Sequence, residues 1–229
     1  MSDDRGGEGG YWLCPSCINA LVKNHTSREP CPRCAQNRKK RECACEAVWD
    51  LPFERVYCVY DYDDTLGVIA KHIKYHGKSG LAERMGVIGA PLIPKDFFSS
   101  IDLVIPVPLH RKRRRRRGYN QAEHFARGVL KGLYADTANT VNPPLLLTDL
   151  LIRVKNTETQ TRLDRDERRE NLSGAFAVNA QAASESSLSG ARAVLVDDIF
   201  TTGATTEACA EALLGAGCAS VAVLAMGRD

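Results

Sequence analysis

From residue 56 onward, the hydrophobic positions alternate between the spacing of strands and the spacing of helices. Short β-prone or apolar runs predict strands at residues 56–60, 101–107, 150–154, 175–178, 193–196 and 220–225. Helical spacing predicts three helices: one that carries Leu66, Ile69, Ala70 and Ile73 behind an N-cap at Asp63 or Asp64, one over residues 120–133, and one over about residues 204–214. Strands that alternate with helices are typical of a mostly parallel α/β sheet.

Polar and irregular segments divide this pattern into parts. Residues 11–47 hold six of the nine cysteines and are predicted to form a small metal-binding module. Residues 48–56 are predicted to be a short link with one proline, and residues 57–229 are predicted to form the α/β domain. Two further segments are predicted as loops, the basic run at 111–117 and the serine- and alanine-rich stretch at 181–189.

The composition is that of a globular protein, with 44% hydrophobic and 26% charged residues. The formal net charge is only +3, so the molecule has no global basic field that would by itself indicate nucleic-acid binding. The apolar stretch at residues 103–109 contains two prolines and is far shorter than the ~20 residues of a membrane-spanning helix. The acidic, glycine-rich first ten residues hold no apolar core of a secretory signal, so we expect a cytoplasmic protein.

The clustered cysteines follow the spacing C-x2-C-x13-C-x2-C-x8-C-x-C from Cys14 to Cys45. In a reducing compartment, two CxxC pairs at such a distance indicate a closed, tetrahedral zinc site with a structural role. Two alternatives remain open: a site in which Cys43 and Cys45 join one CxxC pair, and a redox dithiol. The redox interpretation requires a thioredoxin-like βαβ context, which the sequence lacks.

Residues 192–211 carry the most informative chemistry. An apolar strand delivers Asp197 and Asp198, and a loop of hydroxyls and glycine then opens a helix: Thr201, Thr202, Gly203, Ala204 and Thr205. Backbone amides, hydroxyls and the helix dipole suit a phosphate, while the acids suit a sugar diol or a metal ion on that diol. This arrangement predicts a ribose-5-phosphate site; the simpler alternative is two solvated acids before a capped helix.

Residues 193–205 resemble the phosphoribosyl-pyrophosphate (PRPP) signature of type I phosphoribosyltransferases, and Phe200 resembles the aromatic found there in ComF-type proteins. The motifs P-V-P-L-H at 106–110, R-G-Y-N-Q-A-E at 117–123 and R-R-E-N-L-S-G-A-F at 168–176 are also ComF-like. The resemblance covers about residues 12–228. It implies a type I phosphoribosyltransferase-like fold, a mostly parallel sheet with helices on both faces, plus a small N-terminal zinc module with four cysteine ligands.

The resemblance also implies roles for individual residues. It makes Asp197 and Asp198 the catalytic acids and residues 201–205 the phosphate-binding loop. Residues 157–171 would form the flexible hood that closes over the ribose; the alternative for this segment is a salt-bridged surface helix. The pyrophosphate loop comprises Val107, Pro108, Leu109, His110 and Arg111. Many ComF-like proteins carry C-x2-C where this chain has Cys43-Ala-Cys45, and this departure favours a zinc ligand set of Cys14, Cys17, Cys31 and Cys34.

The function implied is that of a cytoplasmic ComF-like protein that binds PRPP with Mg²⁺ and serves DNA uptake. The permitted chemistry is displacement of pyrophosphate from ribose C1 by an acceptor that the sequence does not identify. The alternative is a non-catalytic adaptor, with the PRPP pocket as sensor or relic, that binds single-stranded DNA or a competence helicase. The run at 111–117 fits three roles: pyrophosphate binding, DNA phosphate binding, or a solvated charged segment.

Overall fold

A computed structural model describes residues 13–26, 29–31, 33–39, 42–43, 51–135, 143–155, 171–185 and 188–229. Its strands are β1 (Val56–Asp61), β2 (Leu103–Pro106), β3 (Leu145–Leu146), β4 (Leu151–Arg153), β5 (Phe176–Val178), β6 (Arg192–Phe200) and β7 (Ser220–Arg228). Its α-helices are α1 (Pro15–Thr26), α2 (Asp64–Tyr75), α3 (Ser79–Gly89), α4 (Arg111–Arg117), α5 (Gln121–Tyr134), α6 (Ala180–Glu185) and α7 (Ala204–Gly215). A short 3-10 turn, Ala90–Leu92, follows α3.

The central sheet has five strands in the order β1-β7-β6-β2-β3, and every neighbouring pair is parallel. The register pairs Phe200 of β6 with Arg228 of β7, and Asp61 of β1 with the same Arg228. The carboxyl ends of these strands therefore lie along one edge of the sheet. Strands β4 and β5 form a separate antiparallel pair. Ligands of open α/β sheets bind at the carboxyl edge, so this topology fixes where the site can form.

Alternate residues of β6 supply two hydrophobic cores, one on each face of the sheet. Val194 and Val196 pack with α2, α3 and α5. Ala193 and Leu195 pack with α7 and with the β4–β5 pair. This arrangement confirms the predicted α/β fold, a parallel sheet with helices on both faces.

The predicted N-caps occupy their expected positions. The carboxylate of Asp63 accepts a hydrogen bond from the backbone N–H of Leu66, at 2.8 Å, and α2 begins at the next residue. Asn120 caps α5 in the same way, since its side-chain oxygen accepts from the N–H of Ala122 at 3.2 Å. These caps involve groups two or three residues apart, which is why the sequence alone locates them.

Three predictions about elements were wrong. Strand β6 does not end at residue 196; it continues to Phe200 because β7 pairs with it along its whole length, so the two acids lie within the strand. The segment predicted as a loop at 181–189 contains α6, where the oxygen of Asn179 caps the N–H of Gln181. The basic run is helix α4, which ends at Gly118 in the left-handed conformation.

The cysteine-rich segment packs against the domain. Leu21 of α1 is buried in the core that α2, α3 and α5 share. His25 Nδ1 donates to the backbone oxygen of Val59 at 2.8 Å, so α1 is attached to β1, the edge strand of the sheet. Such a cover protects an exposed strand edge from pairing with another chain. Leu51 and Phe53, from the predicted link, are also buried in the core.

Within the described residues, no helix is both long enough and apolar enough to cross a lipid bilayer.

Candidate functional site

The paired acids lie near the carboxyl end of β6, the third strand of the sheet. Asp198 is buried and Asp197 partly buried. Asp198 Oδ2 forms an ion pair with Lys74 Nζ at 2.7 Å and accepts a hydrogen bond from Gln121 Nε2 at 3.2 Å. Asp197 Oδ1 accepts from the backbone N–H of Asp198 at 2.8 Å, and Asp198 Oδ1 accepts from that of Ile199 at 2.8 Å. The strand thus holds both carboxylates in fixed orientations.

Sequence reasoning missed Lys74 and Gln121 as site residues. Gln121 lies within the R-G-Y-N-Q-A-E motif, so that motif could have indicated it. Lys74 lies in the last turn of α2 and belongs to no motif. Only the packing of α2 against the sheet brings it to Asp198.

The two acids are electrostatically different. Burial alone would raise the pKa of Asp198, but the Lys74 ammonium outweighs it and holds that pKa below the ordinary value. The same attraction raises the pKa of Lys74, although burial opposes it. Burial, followed by repulsion from Asp198, raises the pKa of Asp197 to about 8. At neutral pH, Asp198 is therefore the permanent carboxylate of the pair and Asp197 is the member that carries a proton.

The hydroxyl-rich loop directly follows β6 and leads into α7. Thr201 is exposed, Thr202 and Thr205 are partly buried, and Ala204 is the first residue of the helix. Gly203 has a φ of +88°, and a Cβ built there would lie 2.8 Å from Leu51 Cδ1. Glycine is therefore required both for the left-handed backbone and for close packing against the segment before β1.

The predicted pyrophosphate loop, residues 107–111, joins β2 to α4 beside the paired acids. The N–H of Val107 donates to the oxygen of Val196 at 2.8 Å, and the amide of Asn120 donates to the oxygen of Val107 at 3.0 Å. Leu109 and His110 are partly buried, and Arg111 is exposed. Desolvation, followed by the positive charges of neighbouring groups beginning with Arg153, lowers the pKa of His110. The loop is thus anchored to β6, and its surroundings are cationic.

Helix α4 consists of seven consecutive basic residues, and none of them is buried. Arg117 points inward, where its guanidinium donates to the side-chain oxygen of Gln121, the residue that also contacts Asp198. Arg114 lies 3.7 Å from a carboxylate oxygen of Glu123. Arg115 and Arg116 are exposed. The helix therefore has an inner end that belongs to the acid site and an outer face open to an anion.

The cysteine sulfurs form two separate groups among the described residues. The Sγ atoms of Cys31, Cys34 and Cys43 all lie within 4.8 Å of one another, and those of Cys34 and Cys43 are 3.6 Å apart. Cys14 and Cys17 form their own pair, with the two Sγ atoms 3.3 Å apart, outside that group. Cys17 packs with the core on one face of the sheet, whereas Cys31 and Cys34 belong to the core on the other face.

The group of three is the candidate metal centre. Three thiolates at this distance can supply three of the four ligands of a zinc ion. Cys43 belongs to the alternative ligand set that the sequence left open, whereas Cys14 and Cys17 belong to the favoured set. Cys45 lies outside the described residues, as do residues 157–170 of the predicted hood.

Arg228, the last residue of β7, connects this cysteine group to the hydroxyl-rich loop. Its Nε donates to the backbone oxygen of Cys34 at 3.2 Å. Its Nη1 donates to the backbone oxygens of Phe200 at 3.2 Å and Thr201 at 2.8 Å. The cysteine group and the loop therefore share one buried guanidinium.

Comparison with known proteins finds relatives over most of the chain. The chain is 28% identical to the DNA utilization protein YhgH of Escherichia coli O157:H7 over 226 residues, which are 96% of this chain and 92% of the relative. It is 26% identical to competence protein ComFC of Bacillus subtilis over 213 residues, 90% of this chain and 79% of that protein. It is 35% identical to competence protein F of Haemophilus influenzae over 127 residues, 56% of this chain and 50% of that protein. No protein-family model matches the chain.

Proposed function

The chain belongs to the ComF family, whose members include these competence and DNA-utilization proteins, and we propose that it binds the ribose-5-phosphate part of PRPP at the carboxyl edge of its sheet. One observation carries the proposal: Asp197 and Asp198 are followed directly by a hydroxyl-rich loop that opens α7. One ligand that bears both a diol and a phosphate can satisfy both features at once.

The phosphate would bind at the beginning of α7. The backbone N–H groups at the start of this helix have no partner within the helix, and the helix dipole gives this end a partial positive charge. Thr201 and Thr202 add hydroxyl donors. The left-handed conformation of Gly203 directs the chain into the first turn without a side chain beside the ligand.

The diol would bind to the carboxylates. A carboxylate is an acceptor of hydrogen bonds, so a pair of adjacent hydroxyls is a natural partner for Asp197 and Asp198. Mg²⁺ when bound would neutralise the pyrophosphate of PRPP. Because Asp198 is already engaged by Lys74, the two acids do not form a two-carboxylate cage for this ion. We therefore assign Mg²⁺ to the pyrophosphate end, beside the loop at 107–111.

The reaction that such a site permits is displacement of pyrophosphate from ribose C1 by a nucleophile, as in phosphoribosyltransferases. The chain's own contribution would be to hold the ribose by its diol and 5-phosphate and to receive the leaving pyrophosphate at backbone amides near Leu109 and His110. Arg111 is the adjacent exposed cation.

Calorimetric titration of PRPP with Mg²⁺ tests the binding site. The double variant Asp197→Asn and Asp198→Asn keeps the shape of the site but removes the charge of Asp198 and the carboxyl group of Asp197. Charge-assisted hydrogen bonds are worth about 1.5–3 kcal/mol each, so we expect the affinity to fall at least tenfold. Thr202→Val should weaken binding by loss of a donor, whereas Glu211→Gln, on the exposed side of α7, should leave it unchanged. Equal affinity of the double variant and the wild type would refute the proposal.

A second function, single-stranded DNA binding, is favoured by helix α4. Its exposed, wholly basic face gives a local field that the small net charge of the chain does not predict. An adaptor would bind DNA in a salt-sensitive manner without turnover. An enzyme would release pyrophosphate from PRPP in the presence of a nucleobase or an amine, and a screen over a panel of both distinguishes the two.

We also propose that the group of Cys31, Cys34 and Cys43 holds a structural zinc ion. Thiolate ligands and the burial of two of the three cysteines support this assignment. Such an ion would fix the cysteine-rich segment on the sheet, where it contacts Arg228.

A further inference from the structure

Lys74 provides a permanent cation inside the paired-acid site. It lies at the end of α2, and its Nζ is 2.7 Å from Asp198 Oδ2. Its side chain is 27% exposed and that of Asp198 is 12% exposed, so the pair is shielded from solvent and from salt. An ammonium at this distance from a shielded carboxylate is a fixed part of the site and not a surface contact.

Gln121 completes the environment of Asp198. Its amide N–H₂ donates to the same Oδ2 that Lys74 contacts, at 3.2 Å. Its amide oxygen accepts from Arg117, which fixes which end of the amide faces the acid. The Ile199 N–H donates to Asp198 Oδ1 at 2.8 Å. Both oxygens of Asp198 are therefore oriented before any ligand arrives.

The charge balance of the site gives Lys74 its significance. Two adjacent carboxylates would repel a phosphate-bearing ligand, unless a cation reduces their net charge. A divalent ion is the usual means, but here the Lys74 ammonium already occupies one carboxylate. The site therefore carries about one net negative charge at most before the ligand binds.

We propose that Lys74 is the positioning residue of the paired-acid site, which orients Asp198 as an acceptor for the sugar hydroxyls and makes recognition of ribose 5-phosphate independent of divalent metal. This inference rests on the proposed function. If Lys74 has this role, the two ends of PRPP differ in their need for metal. The ribose 5-phosphate end binds without Mg²⁺, and the metal requirement of PRPP arises from its pyrophosphate alone.

Titration of ribose 5-phosphate into the full-length, zinc-loaded protein tests the inference, once with a magnesium-selective chelating buffer and once with Mg²⁺. We expect the wild type to bind with the same affinity in both buffers. Lys74→Met should lose about tenfold or more without metal, and Mg²⁺ should restore part of the loss. Lys74→Arg keeps the charge and should retain most of the affinity. Lys71→Met, an exposed lysine one turn earlier on α2, should behave as the wild type.

Titration of inorganic phosphate separates positioning from a general loss of structure. The proposed phosphate site is the loop before α7, whereas Lys74 pairs with Asp198, so the affinity for inorganic phosphate should be equal in the wild type and in Lys74→Met. If Lys74→Met fails to fold, Lys74→Gln, which keeps a hydrogen-bond donor without the charge, serves in its place. The wild-type comparison with and without Mg²⁺ needs no variant.

Two results overturn the inference while the proposed function stands: a wild type that binds ribose 5-phosphate only with Mg²⁺, or a Lys74→Met variant with wild-type affinity in the metal-free buffer. A wild type that binds neither ribose 5-phosphate nor PRPP under either condition overturns both. Metal-independent wild-type binding, together with a metal-dependent Lys74→Met variant, supports the inference.

Discussion

At the scale of single residues, Asp197 and Asp198 are neighbours in sequence, yet their carboxyl groups have different environments and different pKa values. The side chain of Asp198 faces Lys74 and Gln121, on the side of the sheet that α2 and α5 cover. Asp197 projects from the opposite face of the strand. The cation pairs directly with Asp198 only. It also acts to lower the pKa of Asp197, but burial and the ionised neighbour outweigh it there.

This difference predicts opposite effects of two matched substitutions on stability. The folded-state pKa of Asp197, about 8, lies above the unfolded value of about 3.9, so the stability that its proton provides is complete below pH ~4 and is lost as the pH rises through 8. Asp197→Asn should therefore raise the free energy of unfolding at pH 8 by on the order of 5 kcal/mol, since the folded and unfolded pKa values differ by about four and one pKa unit corresponds to about 1.4 kcal/mol. The gain should vanish near pH 4. Urea unfolding between these pH values measures it.

Asp198→Asn is the matched control, and its expected effect on the free energy of unfolding has the opposite sign. The folded-state pKa of Asp198 is lowered, so its contribution is present above the unfolded pKa and disappears as the pH falls through the folded value. The variant should be destabilised at neutral pH, because Lys74 then lacks its carboxylate, and the difference should shrink below pH ~4. Equal effects of both substitutions would contradict the assignment of different charge states.

Gly203 provides a second prediction at this scale. Gly203→Ala should lower the free energy of unfolding by roughly 2 kcal/mol or more, because it combines the strain of a positive φ with a Cβ 2.8 Å from Leu51 Cδ1. Gly77→Ala is the control: Gly77 also has a positive φ, of +68°, but nothing lies within 4 Å of the added Cβ. Urea unfolding should show the smaller loss for Gly77→Ala. Equal losses would mean that contact with Leu51 does not constrain the loop.

At the scale of elements, helix α4 brings an uninterrupted set of cations to the carboxyl edge of the sheet. A helix of this length gains little stability alone, and its ends explain why it forms. His110 Nδ1 accepts from the N–H of Lys112 at 3.3 Å, and Gly118 ends the helix with a φ of +84°. Arg117 and Gln121 join its last turn to α5. Arg111, Lys112, Arg115 and Arg116 are exposed on this fixed helix.

Neutralising the outer face of α4 should weaken single-stranded DNA binding. Changing residues 114–116 to Gln removes three cations, and the slope of log affinity against log salt should flatten by about two, because each phosphate contact on single strands contributes about 0.7. Changing Lys71, Lys95 and Lys131 to Gln removes the same charge from other exposed sites and should have a much smaller effect. Fluorescence anisotropy across a salt series measures both. If the wild type binds no DNA at low salt, α4 is a solvated helix or serves pyrophosphate only.

At the scale of the whole molecule, the cysteine-rich segment and the α/β domain share their packing. Cys31 and Cys34 lie in the same core as Leu195 and Val223 of the central strands. Arg228 adds hydrogen bonds from the end of β7 to the cysteine segment and to the hydroxyl-rich loop. A metal ion held by these cysteines would therefore affect the stability of the entire molecule.

The purified protein should contain about one zinc ion per chain, and removal of the ion by a chelator should lower the Tm by roughly 5 °C or more. Cys43→Ser should abolish zinc retention, because Cys43 belongs to the group with Cys31 and Cys34. Cys14→Ser should retain the metal. Elemental analysis together with thermal unfolding tests both variants. Loss of zinc from Cys14→Ser but not from Cys43→Ser would instead establish the ligand set of the two CxxC pairs.

The sequence by itself determined what depends on neighbouring residues. The alternation of apolar runs predicted the parallel sheet, and the N-caps at Asp63 and Asn120 were predicted because a cap and its backbone partner are two or three residues apart. The paired acids and the hydroxyl-rich loop were found for the same reason, since a contiguous strand, loop and helix carry them. The full length of β6 was not predicted, because pairing with β7 extends this strand through polar residues.

Only the tertiary structure decided how distant parts of the chain meet at the site. Lys74 reaches Asp198 because α2 packs on the sheet, and Gln121 reaches it across 77 positions of sequence. Cys43 joins Cys31 and Cys34. Cys14 and Cys17 stay outside that group, and Cys17 packs with the core on one face of the sheet whereas Cys31 and Cys34 pack with the core on the other. Capping and periodicity act within a few residues, whereas ion pairs and metal ligands depend on the spatial arrangement of whole elements, which local pattern does not encode.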